Sequence, residues 1–488
     1  MRRPLCVFCA GTLGLELVCA FLPQTGRFVP FAAFFIVGLL WALVGRLRKS
    51  PAWGYGICLI LGAVLGLVLT GSTQAKWDAI QTAYDGRSVL LEAEVESTTS
   101  SYFPGRVRAV LRVETVNREA ASLRVECASL PTCSPGDRVK GRFALEMPDD
   151  TARLNALADG IALNAAYEKG FALLGQSTSF RARTARLQKR LSAALRQGMA
   201  SGPAGVLAAM VTGDRSGITQ ELRTVYSRSG LSHLLAVSGL HTGIVFALVN
   251  LMLWWLPLLH RGHLVRNLLA TVCIWLFVAA AGFSPSAVRA AVMCTMLQFA
   301  LASASEYVAL NALAAAGFGM LLWNPAWLGD ISFQLSFIAV AAILAWGVPL
   351  CRLLHTRRRA LNLLTDALVI SLVAGIATAP LVSHTFGTVP LAGLLVNPVA
   401  ILVGSIVVLG GTVWMILPVN WLAPAFDAVL SGTAGLLNTL ARAAAALPGG
   451  YAEYTLGGGA TAGIYLFFLL TTLAAWSFEP KKSVHLPA

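Results

Sequence analysis

Long apolar blocks alternate with short basic connections along most of this chain, and one stretch of about a hundred residues breaks the pattern. The blocks fall near residues 5–22, 28–45, 52–71, 231–256, 264–282, 286–304, 307–323, 331–350, 361–386, 399–417 and 461–478. Roughly 20 residues at 1.5 Å each cross about 30 Å of hydrocarbon as a helix. The blocks are continuous and rich in Leu, Ala, Val and Gly, which predicts helices and not the alternating strands of a membrane barrel. About 11 transmembrane helices are therefore expected. The first block follows Met-Arg-Arg and reads as a retained signal-anchor, because further spans follow at once.

Between residues 78 and 176 the period changes to two. Ser88–Glu96, Arg106–Glu114, Leu123–Glu126 and Arg138–Leu145 alternate polar and apolar positions, with Pro104-Gly105 and Pro135-Gly136 as turns. This predicts an inserted small all-β domain, an OB-like Greek-key barrel. Arg181–Arg196 then reads as a basic amphipathic helix of the kind that lies at a membrane surface, where it contacts headgroups or recruits phosphate. A second helix, Thr219–Arg228, follows. Residues 425–447 carry Asp427, Asn438 and Arg442, and both an interfacial helix and a further crossing are open there. The expected units are residues 1–76 (N-terminal membrane helices), 77–176 (barrel), 177–230 (surface helices), 231–480 (membrane channel domain) and 481–488 (tail).

Composition agrees with the pattern. Of 488 residues 56% are hydrophobic and 12% charged, and mean hydropathy is +0.69, which excludes a soluble globular protein of this size. The net charge of +14 has two readings: a polyanionic partner, or the Lys/Arg excess of cytoplasmic loops. Arg2-Arg3 precede the first apolar block, and Arg46–Lys49, Arg261 with Arg266, and Arg352–Arg359 lie between or at the edges of later ones. They place the N-terminus in the cytoplasm and the β domain outside it. Cys6, Cys9, Cys19, Cys58, Cys273, Cys294 and Cys351 sit in or beside apolar blocks and read as small hydrophobes. Cys127 and Cys133, in the insert, are a candidate disulfide if that side is oxidising.

Four stretches of the membrane portion are more polar than a lipid-facing helix allows. The first is Ser232-His-Leu-Leu-Ala-Val-Ser-Gly-Leu-His-Thr-Gly243, with His233, Ser238, Gly239, His241 and Gly243. The second is Gly282-Phe-Ser-Pro-Ser-Ala-Val-Arg289, with Ser284, Pro285 and Arg289. The third, Asn324-Pro325 to Phe337, carries Asp330, Gln334 and Ser336. The fourth holds His384, Pro390, Asn397 and Pro398. Interrupted polar segments at membrane depth line hydrated routes when they converge. The competing reading is structural: single residues tying helices together, with Arg289 paired to Asp330 as a fixed strut.

These four stretches, in this order, resemble the hallmarks of the ComEC family of bacterial competence proteins, and the β insert resembles that family's OB-like domain. The resemblance implies a multi-pass protein of the bacterial cytoplasmic membrane that admits single-stranded DNA during natural transformation. It implies a competence DNA receptor and a cytosolic ATPase or helicase as partners, besides the lipid bilayer and, as a further expectation, copies of itself. Many members continue into a metallo-β-lactamase-like domain. This chain stops soon after its last apolar block, so a separate nuclease is expected to supply that activity, and the chain itself is expected to be a channel and not an enzyme. Its seven histidines contain no metal-binding run, and no metal or other cofactor is expected.

In the β insert Arg106, Arg108 and Arg112 alternate on one strand as possible DNA contacts, although residues 85–169 hold eleven Lys/Arg against thirteen Asp/Glu. Two other classes are open. Ser238 and His241 stand three residues apart, as neighbours on a helix, which fits a membrane-embedded Ser/His hydrolase. Broken helices also fit a small-molecule transporter.

Overall fold

Alternation in the insert produces five strands: β1 (Ser88–Ser100), β2 (Arg106–Val116), β3 (Glu119–Pro131), β4 (Asp137–Glu146) and β5 (Leu163–Gln176). The computed structural model describes residue 64 and residues 75–100, 103, 105–148, 156, 159–258, 262–302, 308–416 and 423–477. The strands close a barrel in the order β1-β2-β3-β5-β4, antiparallel except for the short β3–β5 pairing. This is the OB-like arrangement expected. One face of each strand turns inward, so Leu91, Leu111, Val125, Val139, Phe143 and Leu163 form the core while Arg108 and Arg112 point out. Asn117 and Arg118 take positive φ angles of 51° and 75° and make the tight turn that sets the β2–β3 register. Helix α1 (residues 75–84) lays Trp77, Ile80 and Tyr84 against the barrel. Cys127 and Cys133 are buried free thiols.

The basic helix α2 (Phe180–Arg196) leans on the barrel instead of presenting all of its charge to headgroups. Buried Glu94 accepts from Ser177 Oγ at 2.8 Å and from Ser179 Oγ at 2.6 Å, and Ser179 also caps α2 through the Ala182 N–H. Arg181 pairs with Glu96 at 3.2 Å, Arg186 donates to Ser177 O, and Lys189 donates to Ser134 Oγ. Its other side reaches the segment that leads into the membrane helices: Gln188 Nε2 donates to Thr212 O at 2.6 Å, and Arg196 pairs with Asp214 at 2.8 Å. α2 is thus a strut between barrel and membrane domain.

After α3 (Ser201–Thr212), the turn Arg215–Gly217 and α4 (Gln220–Arg228), the chain enters its apolar part. The helices there are α5 (Gly239–Met252), α6 (Gly262–Ala280), α7 (Pro285–Ala302), α8 (Ala309–Trp323) and α9 (Ile331–Ala342). α10 (Val348–Leu354), α11 (Arg359–Phe386), α12 (Gly393–Ile416), α13 (Ala423–Ala446) and α14 (Gly458–Ser477) follow. Among the described residues six helical stretches are long and apolar enough to cross a membrane: Gly239–Leu258, Gly262–Ala280, Pro285–Ala302, Ile331–Leu354, Leu361–Phe386 and Gly393–Met415. The third-last of these joins α9 to α10 through a π-helical turn.

The count of about eleven is therefore six here. Ala309–Trp323 and Gly458–Leu469 are apolar but shorter, and the spans expected near 5–22, 28–45 and 52–71 lie outside the described residues, as do Cys6, Cys9, Cys19, Cys58 and the tail. The segment 425–447 is helical within α13, where Leu430, Ala434, Leu437 and Ala441 form one buried stripe packed with residues of α3 and α12. The rest of that helix's neighbourhood includes Asn438, which accepts the Tyr226 hydroxyl at 2.9 Å.

Candidate functional site

All four polar stretches are represented around the loop that precedes α5. Gly230 opens it in a left-handed conformation, φ +76°, and a Cβ there would come within 3.1 Å of Pro390 and of the Gly393 Cα. Only glycine allows this approach between the first stretch and the fourth. Residues Ser232–Leu235 make one 3₁₀ turn, and the chain then extends to Ser238, the N-cap of α5. The Val237 carbonyl accepts from Ser284 Oγ at 3.2 Å and from Ser286 Oγ at 2.8 Å. These bonds fasten the second stretch to the first, and Pro285 starts α7 beside them. The third is joined through Arg289, whose Nη1 donates to the Ser336 carbonyl and whose guanidinium stands 5.7 Å from the Phe337 ring centroid.

Arg289 is 5% exposed. The ion pair with Asp330 weighed from the sequence is not formed. The Asp330 carboxylate turns instead to cap α9, accepting the Phe333 N–H at 2.7 Å. Among the described residues Arg289 has no carboxylate partner, and its Nε is buried without a hydrogen bond. Its Nη2 lies against Gly239, the first residue of α5, whose unpaired N–H groups favour negative charge.

His241 is fully buried on the first turn of α5. Its Nδ1 accepts the Ser238 N–H at 3.2 Å, which places the proton of the neutral ring on Nε2. That Nε2 is buried and has no partner in the structure. The same bond disfavours the Ser/His dyad, since the ring faces the backbone of Ser238 and not its hydroxyl. Thr242 Oγ1 returns to the Ser238 carbonyl at 3.2 Å.

The remaining expected residues divide. Gln334 donates to Leu328 O at 2.6 Å and holds the turn before α9. Asn397, on α12 beside Pro398, has a buried Oδ1 without a partner, and its Nδ2 is 3.8 Å from a Cβ placed on Gly393. Gly243 has open space where its Cβ would be. His233 is exposed, with Nδ1 3.1 Å from Gly230 O. His384 stands apart from this centre: its Nδ1 meets Leu456 O at 2.8 Å, where α11 approaches the start of α14. On the barrel Arg108 pairs with Glu126, Arg112 with Glu96 at 2.8 Å, and Arg106 donates to Ser129 Oγ, so the expected basic stripe is largely matched by partners. Among the described residues no group of three or more His, Cys, Asp or Glu side chains is placed to hold a metal ion.

Four residues contribute that the sequence pattern did not single out: Arg215, Asn250, Asn267 and Gln298. Arg215 Nε donates to Leu235 O at 3.2 Å and props the signature loop from outside. Its only signal was a cation in the Gly213-Asp-Arg-Ser-Gly217 turn. Away from the loop, Gln298 Nε2 bonds Asn250 Oδ1 at 3.1 Å and Asn267 Nδ2 reaches Gln298 O, tying α5, α6 and α7 together.

The architecture is that of a polytopic membrane protein with a closed OB-like barrel strutted onto its helices, and with a buried, acid-free cation at a loop shared by several broken segments. Residues 210–480 match the family model described as Competence protein, and the chain belongs to that family. It is similar to ComE operon protein 3 of Bacillus subtilis (strain 168), 28% identical over 183 residues, which is 37% of this chain and 22% of that protein. It is also similar to an uncharacterized protein of Aquifex aeolicus (strain VF5), 31% identical over 176 residues, 36% of this chain and 38% of the relative. The matches thus span well under half the length of these curated relatives. No solved structure matches the chain.

Proposed function

We propose that this protein passes a single strand of DNA through the bacterial cytoplasmic membrane during natural transformation, with the signature loop and Arg289 at the constriction. One observation carries the reading: a cation inside a membrane span, nearly inaccessible to solvent, with no carboxylate partner among the described residues and set against the N-terminus of α5. An Arg at the centre of a span costs about 3 kcal/mol on insertion scales, and Arg289 stands one turn inside α7. A strand brings one negative charge per nucleotide, and its phosphate oxygens accept hydrogen bonds. It would supply the counter-charge for Arg289 and an acceptor for His241 Nε2–H. Residues 231–478 contain five acidic side chains, so little repels a polyanion there.

In this reading the barrel faces the extracytoplasmic side and the N-terminus the cytoplasm. A separate DNA receptor delivers the strand, a cytosolic ATPase or helicase draws it in, a separate nuclease removes its complement, and further copies of the chain complete the pore if one copy does not. Membership of the competence family supports DNA uptake as the process.

The test is acquisition of labelled, nuclease-protected DNA by cells lacking the protein, complemented with Arg289→Gln or Arg289→Lys at matched membrane levels. Uptake is expected to fall at least a hundredfold with Gln and to be partly kept with Lys. Wild-type uptake by the Gln variant would refute the assignment.

A further inference from the structure

Glu96, near the end of β1, is a carboxylate with three arginines. Arg112 reaches it at 2.8 Å, Arg181 at 3.2 Å, and Arg124 grips it through Nε and Nη2. The Glu96 side chain is only 9% exposed, so one buried negative charge organises three positive ones and leaves the group with an excess of two. Beside it lies a hollow of about 320 Å³ lined by Trp77, Arg112, Ser122, Arg124 and Gly160. Gly160 keeps it open: its φ is +74°, and a Cβ there would stand 3.1 Å from Arg124 Nη1. Trp77 is half-buried, held by α1 against the barrel wall.

Strand β1, which carries Glu96, packs against the turn Arg215–Gly217, and Arg215 in that turn holds Leu235 of the signature loop. Arg124 donates to the Asp159 carbonyl. A second hollow on the barrel, of about 300 Å³ beside Arg106 and Arg108, also carries Glu126 and Glu146, which offset its cations.

We infer that the Trp77 hollow is a nucleotide subsite for single-stranded nucleic acid, with one base against Trp77 and its phosphate between Arg112 and Arg124. This rests on the reading that the chain handles a single strand. A guanidinium pair matches any phosphodiester, whether of a strand or of a lipid headgroup. The adjoining indole favours the strand over an anionic headgroup, because a base stacks on an aromatic face, whereas a headgroup without ring or ammonium offers that face nothing.

The test uses the full chain in nanodiscs, with fluorescence anisotropy of labelled oligothymidylate, an abasic oligonucleotide of the same length, and nanodiscs with and without anionic lipid. Trp77→Ala is expected to weaken oligothymidylate binding about tenfold and abasic binding hardly at all. Arg124→Gln is expected to weaken both and to flatten the dependence on log salt by about 0.7. Arg87→Gln, an exposed barrel cation outside the hollow, controls for net charge. Trp77→Phe, which retains a ring, is expected to bind nearly as the wild type, and the retained abasic binding of Trp77→Ala shows that its loss is not unfolding. Binding by Trp77→Ala and Arg124→Gln within twofold of the wild type would overturn the subsite, as would competition by anionic lipid that eliminates oligonucleotide binding. Wild-type uptake by Arg289→Gln, with these affinities intact, would count against the membrane pathway alone; normal uptake by Trp77→Ala and Arg124→Gln with their affinities lost would count against the subsite's part in it.

Discussion

Arg289 Nη2 occupies the space that a side chain at position 239 would need: a Cβ built on Gly239 comes within 2.5 Å of it. The glycine that opens α5 is therefore fitted to the guanidinium that crosses from α7. Gly239→Ala is expected to displace Arg289 or the helix start, at about 1–3 kcal/mol for overpacking, and to reduce DNA uptake at least tenfold. Gly243, one turn further on, meets nothing within 4 Å, so Gly243→Ala is expected to transform at wild-type frequency. Equal transformation by both variants would show that the Gly239–Arg289 fit has no part in transport.

His241 acts on both sides of its ring. Nδ1 secures the Ser238 N–H, and Nε2–H is left without a partner in a buried place. His241→Asn, with a shorter acceptor suited to helix starts, is expected to keep most of the cap while losing the Nε2 donor. His241→Ala loses both and is expected to cost about 1 kcal/mol of stability through the cap. Melting of the purified variants reads the first effect and uptake the second. An Asn variant that melts and transforms as the wild type would remove the donor from the pathway.

Glu94 ties the barrel to α2 by accepting two serine hydroxyls, and it is 5% exposed. Glu94→Ala strands both hydroxyls and is expected to destabilise the barrel–strut junction by about 2–4 kcal/mol, whereas Glu94→Gln retains one acceptor and is expected to lose about half of that. Limited proteolysis between β5 and α2 reports the junction directly. Unchanged cleavage in the Ala variant would show that α2 is held by its other contacts.

How much of this was legible in the sequence depends on the range of the interaction. The barrel was readable because period-two alternation is a local signal: Ala109, Leu111 and Val113 face in and Arg108 and Arg112 face out, as their spacing dictates. The approach of Gly230 to Gly393, 163 positions apart, carried no such signal beyond two unusual glycines. Charges misled for the same reason. Arg289 and Asp330 look complementary in one dimension, yet Asp330 is used by the nearest free N–H groups of its own helix start. The basic stripe of β2 looked unopposed until β3 and β1 brought Glu126 and Glu96 beside it.

The buried barrel cysteines allow a chemical check. Burial raises both thiols, Cys133 to about 11, where the nearby Asp137 adds to the effect. The thiolate is the reactive form, so both are expected to alkylate slowly at pH 8 in the folded protein and at ordinary rates once it is unfolded. Rapid labelling of the folded chain would contradict the packing of this barrel. A peptide lighter by two hydrogens that joins Cys127 to Cys133 would show instead that the two have closed a disulfide.

Acid is expected to loosen the strut's far end through Asp214. Burial alone would raise Asp214, but the Ser192 hydroxyl, Ser216 and Arg196 outweigh it and hold the carboxyl below the usual aspartate range. A carboxyl depressed in the folded state binds its proton more readily when unfolded. Its stabilisation is thus fully present above the unfolded value of about 3.9 and is lost as pH falls through the lower folded value. Wild-type protein is expected to lose stability steeply below about pH 4. Asp214→Asn, with a weaker neutral acceptor, is expected to be less stable at pH 7 by about 1–3 kcal/mol and to change less between pH 5 and pH 3. Melting temperatures measured across that interval decide the matter: parallel profiles for the two proteins would mean that Asp214 is not the group through which acid releases α2 from the turn beneath the signature loop.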